Sequence, residues 1–202
     1  MTSTISALTK TKKSEGITFR LSSDLAAKLR QDAEKKQISL NTLANQVLRD
    51  HIEWHNNAKL SDLTYLSKSL FSTVLKEISE ERITNIAEEY VQNEYKDLVL
   101  LLKDKFNIET ILEIKENWAR ISGFPYKYEK IDTNVDNTLV NNNQHETTKI
   151  VTAHHFTILH DMGPKYSLLL KQIDKFLFEY NLQVKIKSET TDNTYISTIE
   201  QP

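Results

Sequence analysis

Residues 16–52, GITFRLSSDLAAKLRQDAEKKQISLNTLANQVLRDHI, change their hydrophobic period from two to 3.6 within a few positions. Ile17, Phe19 and Leu21 alternate with Thr18 and Arg20, the pattern of a short strand with one buried face. Ser22 or Ser23 then caps a helix that carries Asp24 in its first turn. Leu25, Ala26, Leu29 and Ala33 repeat at helical spacing, and the helix is expected to end near Lys36. After a Gln37-Ile38 turn, Ser39 opens a second helix with Leu40, Leu43, Ala44, Val47, Leu48 and Ile52 on one stripe.

One strand and two helices bury too little apolar surface to offset their chain entropy, and a lone strand leaves its backbone groups unpaired. Two copies remove both difficulties: the strands pair antiparallel about a two-fold axis while four helices cover Ile17, Phe19 and Leu21. Thr18 and Arg20 then occupy the open face of a two-stranded ribbon. Such a ribbon fits the major groove of double-stranded DNA, where arginine donates twice to guanine and threonine offers a hydroxyl or methyl group.

The stretch resembles the ribbon-helix-helix family, the Arc, MetJ and CopG class of repressors. The resemblance rests on the alternating strand, the Leu21-Ser22 step into the first helix, the short turn, and the polar start Ser39-Leu40-Asn41-Thr42. It implies base reading by Thr18 and Arg20 and phosphate binding by Ser39, Leu40, Asn41 and Thr42. The phosphate role has a physical basis of its own, since free N–H groups and the helix dipole make a helix N-terminus an anion site. Gln37 stands where the family commonly has glycine, and Gly16 offers no side chain where some members place a third base contact. Lys12 and Lys13 are candidates for backbone phosphates from a flexible basic arm, residues 1–15.

Charge is distributed to match. Up to residue 58 there are nine basic and six acidic residues, whereas the remainder carries 17 basic and 22 acidic, a basic head on an acidic body. There is no cysteine, which excludes disulfides and thiolate chemistry. The longest apolar run, Leu98 to Leu102, is far short of the roughly 20 residues that span a bilayer, and the N-terminus has no secretory core. A cytoplasmic protein with no membrane partner is expected.

The expected architecture is α+β and mostly helical. The dimeric ribbon-helix-helix head at 16–55 precedes a helical region at 60–133, with helices over 61–79, 82–105 and 109–121. An Asn-rich linker at 134–148 leads to a small β-α-β-β unit at 149–200, in which Lys149–Thr157 alternates and Asp192-Asn193 turns between the last two strands.

His154, His155 and His160, with Asp161, are candidate ligands for zinc or nickel. In a strand, however, His154 and His155 point to opposite faces, so no metal or cofactor is expected. No nucleophile with a base, glycine-rich phosphate loop or metalloprotease spacing occurs, which argues against an enzyme. Two functions remain: a sequence-specific homodimeric regulator whose C-terminal region serves oligomerisation or effector sensing, and an antitoxin-like module that binds DNA and a protein partner. Antitoxin tails are usually short and disordered, whereas 61–199 reads as ordered, so the sequence favours the regulator.

Overall fold

The computed structural model describes residues 15–58, 64–135 and 149–201. It is α+β and mostly helical, and divides into two compact units, residues 1–48 and 49–202.

The first unit contains α1 (Ser23–Lys35) and the start of α2 (Leu40–Asp50). Ser22 is the N-cap residue of α1, and Ser39 caps α2 by accepting from the Thr42 N–H at 3.0 Å. Of its described residues only Ala33 and Leu43 are buried. No strand forms at Ile17–Leu21 in the single chain, where the sequence alternation predicts a strand completed by a second copy. A strand exists through its ladder, and none of the described residues of this unit supplies a second edge.

α1 ends in a Schellman motif: the Ile38 N–H donates to Ala33 O and the Gln37 N–H to Glu34 O, each at 3.0 Å. Gln37 therefore sits at φ +53°. The same motif closes α7 (Ile108–Ile121), where the left-handed position is filled by Gly123 at φ +65°. A side chain at such a position costs about 1–2 kcal/mol, and glycine returns part of this through unfolded-state entropy. Gln37→Gly is therefore expected to stabilise by roughly 0.5–1 kcal/mol, read as a raised urea midpoint.

The second unit takes in Arg49 and Asp50 at the end of α2, then a π-helical turn at His51–His55 and the short α3 (Asn56–Ala58). Then come α4 (Lys68–Glu77), α5 (Glu80–Tyr90), a π-helical turn at Val91–Tyr95, α6 (Lys96–Lys103) and α7. Of the helix expected over 61–79, residues 61–63 lie outside the described residues and 64–67 are not helical; α4 starts at Lys68, where Ser67 accepts from the Leu70 N–H and fixes the start. α7 is set by a reciprocal capping box between Asn107 and Thr110, and buries Ile108, Ile111, Leu112, Lys115 and Ala119 along one face.

A four-stranded antiparallel sheet completes this unit: β1 (Tyr126–Val135), β2 (Lys149–Leu159), β3 (Lys185–Thr190) and β4 (Thr194–Gln201), in spatial order β1-β2-β4-β3. Between β2 and β3 run α8 (Pro164–Lys175) and a π-helical turn at Phe176–Asn181. The expected β-α-β-β unit is thus β-β-α-β-β. The region taken as helical through 133 ends in a strand, and Asn134 and Val135 belong to β1 rather than to a linker. The rest of that expected linker, 136–148, lies outside the described residues.

α8 lies between the sheet, where it meets β3 and β4, and the helices α4 and α5. One sheet face is covered, with His154, Phe156, Ile158, Tyr195, Ser197 and Ile199 buried. Lys165 clamps the end of α4 by donating to the carbonyls of Lys76 and Ile78, both at 2.6 Å.

Candidate functional site

In the first unit Thr18 and Arg20 are exposed, as are Ser39, Leu40, Asn41 and Thr42. They share this exposure with apolar residues that water does not favour: Ile17 is 72% exposed and Phe19 60% exposed, and Leu21, Leu25, Val47 and Leu48 are also open. The unit therefore exposes both apolar and polar side chains.

At the start of α2 the Ser39 hydroxyl is occupied, since Oγ accepts from the Thr42 N–H and lies 2.7 Å from Thr42 Oγ1. The Asn41 carbonyl groups are used as well: Asn45 Nδ2 donates to Asn41 O at 2.8 Å and to Oδ1 at 3.3 Å. The N–H groups of Leu40 and Asn41 and the Asn41 amide nitrogen keep no acceptor among the described residues. These are the donors that an anion would meet, reinforced by the helix dipole. Ser39 acts first as a cap, and a phosphate would approach the neighbouring donors. Lys12 and Lys13 lie outside the described residues.

The histidines of the second unit make separate bonds. The β2 register places His154 and His155 on opposite faces. His154 Nδ1 pairs with the Tyr128 hydroxyl at 2.9 Å, and His155 Nδ1 with Thr198 Oγ1 at 3.0 Å. Among the described residues no three His, Asp or Glu side chains gather in a way that would hold a metal ion.

His160 and Ser167 have the spacing of a nucleophile and its base, at 2.8 Å, but the proton positions are wrong for that chemistry. The Met162 N–H donates to His160 Nδ1 at 3.0 Å, so the remaining proton sits on Nε2 and is donated to Ser167 Oγ. Ser167 in turn donates to the Thr191 carbonyl at 2.6 Å. The chain of bonds pins the end of β2 to the start of α8, and the imidazole has no lone pair for the hydroxyl proton.

Burial lowers the His160 pKa, opposed by the Asp161 charge. The folded imidazole resists a proton that the unfolded chain accepts near its ordinary value of about 6.5. Stability of the second unit is therefore full above that pH and falls as pH drops from about 7 towards 5, by at most about 1.4 kcal/mol per pH unit for this one group. Urea titrations across that range should show the slope, and His160→Gln should flatten it.

Lys115 and Asp174 form a buried ion pair, 7% and 3% exposed. The Tyr195 hydroxyl donates to the same Asp174 Oδ2 at 2.7 Å. Burial, with the Asp174 charge adding to it, pushes that phenol well above its usual range. Periodicity gave no hint of this pair, because Lys115 and Asp174 fall on helix faces that otherwise read as apolar.

Among the described residues no helix is long and apolar enough to cross a membrane. Comparison with curated proteins and with solved structures gives no match. A family model does match: residues 8–48, which include α1 and most of α2, fit the HicB family.

Proposed function

We propose that the protein is an antitoxin-type DNA-binding regulator, a homodimer in which residues 16–55 of two chains form a ribbon-helix-helix head on double-stranded DNA. The supporting observation is a coincidence: the segment that matches the HicB family also leaves Ile17, Phe19 and Leu21 uncovered in the single chain. The HicB family comprises antitoxins of toxin–antitoxin pairs with a ribbon-helix-helix-like N-terminal segment. That match moves weight from a plain regulator to the antitoxin reading, which brings a protein partner with it. On this reading Thr18 and Arg20 face base edges while the start of α2 meets phosphate.

Light scattering on the full chain tests the first half and is expected to give a dimer at micromolar concentration. Duplexes enriched from a random pool test the second half. Binding should weaken steeply with salt, with a log-log slope of about 0.9 per phosphate neutralised. A monomer that fails to retain any duplex at low salt would sink the proposal.

A further inference from the structure

We propose that the second unit holds a binding site for an uncharged, ring-bearing small molecule with one hydrogen-bond acceptor, received by the Lys115 ammonium. A cavity of about 830 Å³ lies wholly within that unit. The cavity is partly open to solvent, and ligand sites commonly occupy about 300–1,000 Å³. Its walls come from many elements: Trp54 from the first π-helical turn, Phe71 from α4, Tyr90 from α5, Trp118 from α7, Tyr166 from α8 and Tyr195 from β4. A concavity walled by that many elements suits a compact molecule better than an extended peptide, and aromatic walls favour rings.

The buried charged element of the cavity wall is the Lys115–Asp174 pair, whereas the other charged side chains on the wall, Lys68, Glu89 and Glu94, are exposed to solvent. Lys115 has three donors and spends one on Asp174. Among the described residues it makes no other hydrogen bond, and the ring faces of Phe156, Tyr195 and Phe178 have centroids 5.0, 5.6 and 5.8 Å from Nζ. Ring faces attract the ammonium but leave its remaining N–H groups without an oxygen, and a ligand acceptor would supply one. Because Asp174 already balances Lys115, a ligand charge placed beside the ammonium would be buried without a counter-ion, the wall's other charges being at its exposed positions, so the ligand is neutral. This inference does not depend on DNA binding by the first unit.

The chain has two tryptophans, Trp54 and Trp118, and both line the cavity. Titration of the full chain with 6-propionyl-2-(dimethylamino)naphthalene, a neutral naphthalene with one carbonyl, should quench both through energy transfer and saturate at one dye per chain. Ala58→Phe fills the cavity from its wall and should weaken binding at least about tenfold, with Ile173→Phe used if circular dichroism shows Ala58→Phe unfolded. The double variant Lys115→Met with Asp174→Asn removes both charges yet keeps an acceptor for Tyr195. It should weaken the carbonyl dye about tenfold while leaving N-phenyl-1-naphthylamine, which has no carbonyl, within about twofold. Absence of saturable quenching in the unaltered chain, or unchanged affinity in a folded cavity-filling variant, would overturn the site. Equal loss of both dyes, or of neither, in the double variant would overturn the acceptor role of Lys115. DNA binding enters none of these readings, so failure here leaves the head untouched.

Discussion

Asp174→Ala is expected to destabilise the second unit by about 3–5 kcal/mol, the usual cost of stranding one member of a buried ion pair. Lys115 would keep its ammonium among Phe156, Phe178 and Tyr195 with no carboxylate, and the Tyr195 hydroxyl would lose its acceptor at the same time. For a unit of this size the melting temperature should fall by roughly 10 °C or more. Trp54 and Trp118 both lie in this unit, so urea unfolding followed by tryptophan fluorescence reads the effect there directly. Two comparisons make the cause plain. Neutralising both partners, Lys115→Met with Asp174→Asn, should cost much less than Asp174→Ala alone, because no charge is left unpaired. Breaking the exposed pair Lys187–Glu200, whose side chains are 63% and 33% exposed, should cost no more than about 1 kcal/mol. A loss of less than about 1 kcal/mol in Asp174→Ala would mean that water reaches the pair.

Local signals in the sequence located most helices because capping and periodicity are local: Ser22 and Ser39 mark starts that the structure keeps. β1 escaped for a physical reason. Tyr126 and Tyr128 alternate with Lys127 and Glu129, but the next pair inverts the phase, with Lys130 on the face of His154 and Ile131 half open on the other. An edge strand tolerates such an inversion, since one side of it makes no ladder and its faces are incompletely covered. At 17–21 the alternation is clean, yet any ladder would have to come from another chain, and the single chain forms no strand there. Residues of the candidate head could be named because they stand in one short stretch. Lys115, Asp174 and Tyr195 could not, because 59 positions separate the first two and only the fold brings them together.

Phe19→Asp is expected to abolish the dimer at micromolar concentration, and with it detectable binding to any duplex. If the ribbon forms, Phe19 of both copies leaves water between the helices, and truncating a buried phenylalanine costs about 3–5 kcal/mol per site. A carboxylate there adds the cost of burying an unpaired charge. The dimer constant should therefore weaken by well over a hundredfold, with two sites altered per dimer. In the single chain the same side chain is 60% exposed, so the variant should leave the second unit and its tryptophan signal unchanged. That contrast separates loss of assembly from loss of folding. Arg20→Ala should behave differently: the dimer persists, preferred duplexes lose roughly 1–3 kcal/mol per bidentate contact, and scrambled duplexes lose little. Asn41→Ala should weaken all duplexes about equally, because a phosphate contact carries no sequence information. Titrating the three variants against selected and scrambled duplexes, with light scattering in parallel, reads assembly and recognition separately. A dimeric Phe19→Asp protein would place the interface elsewhere, and an Arg20→Ala dimer with unchanged site preference would remove the ribbon from base reading.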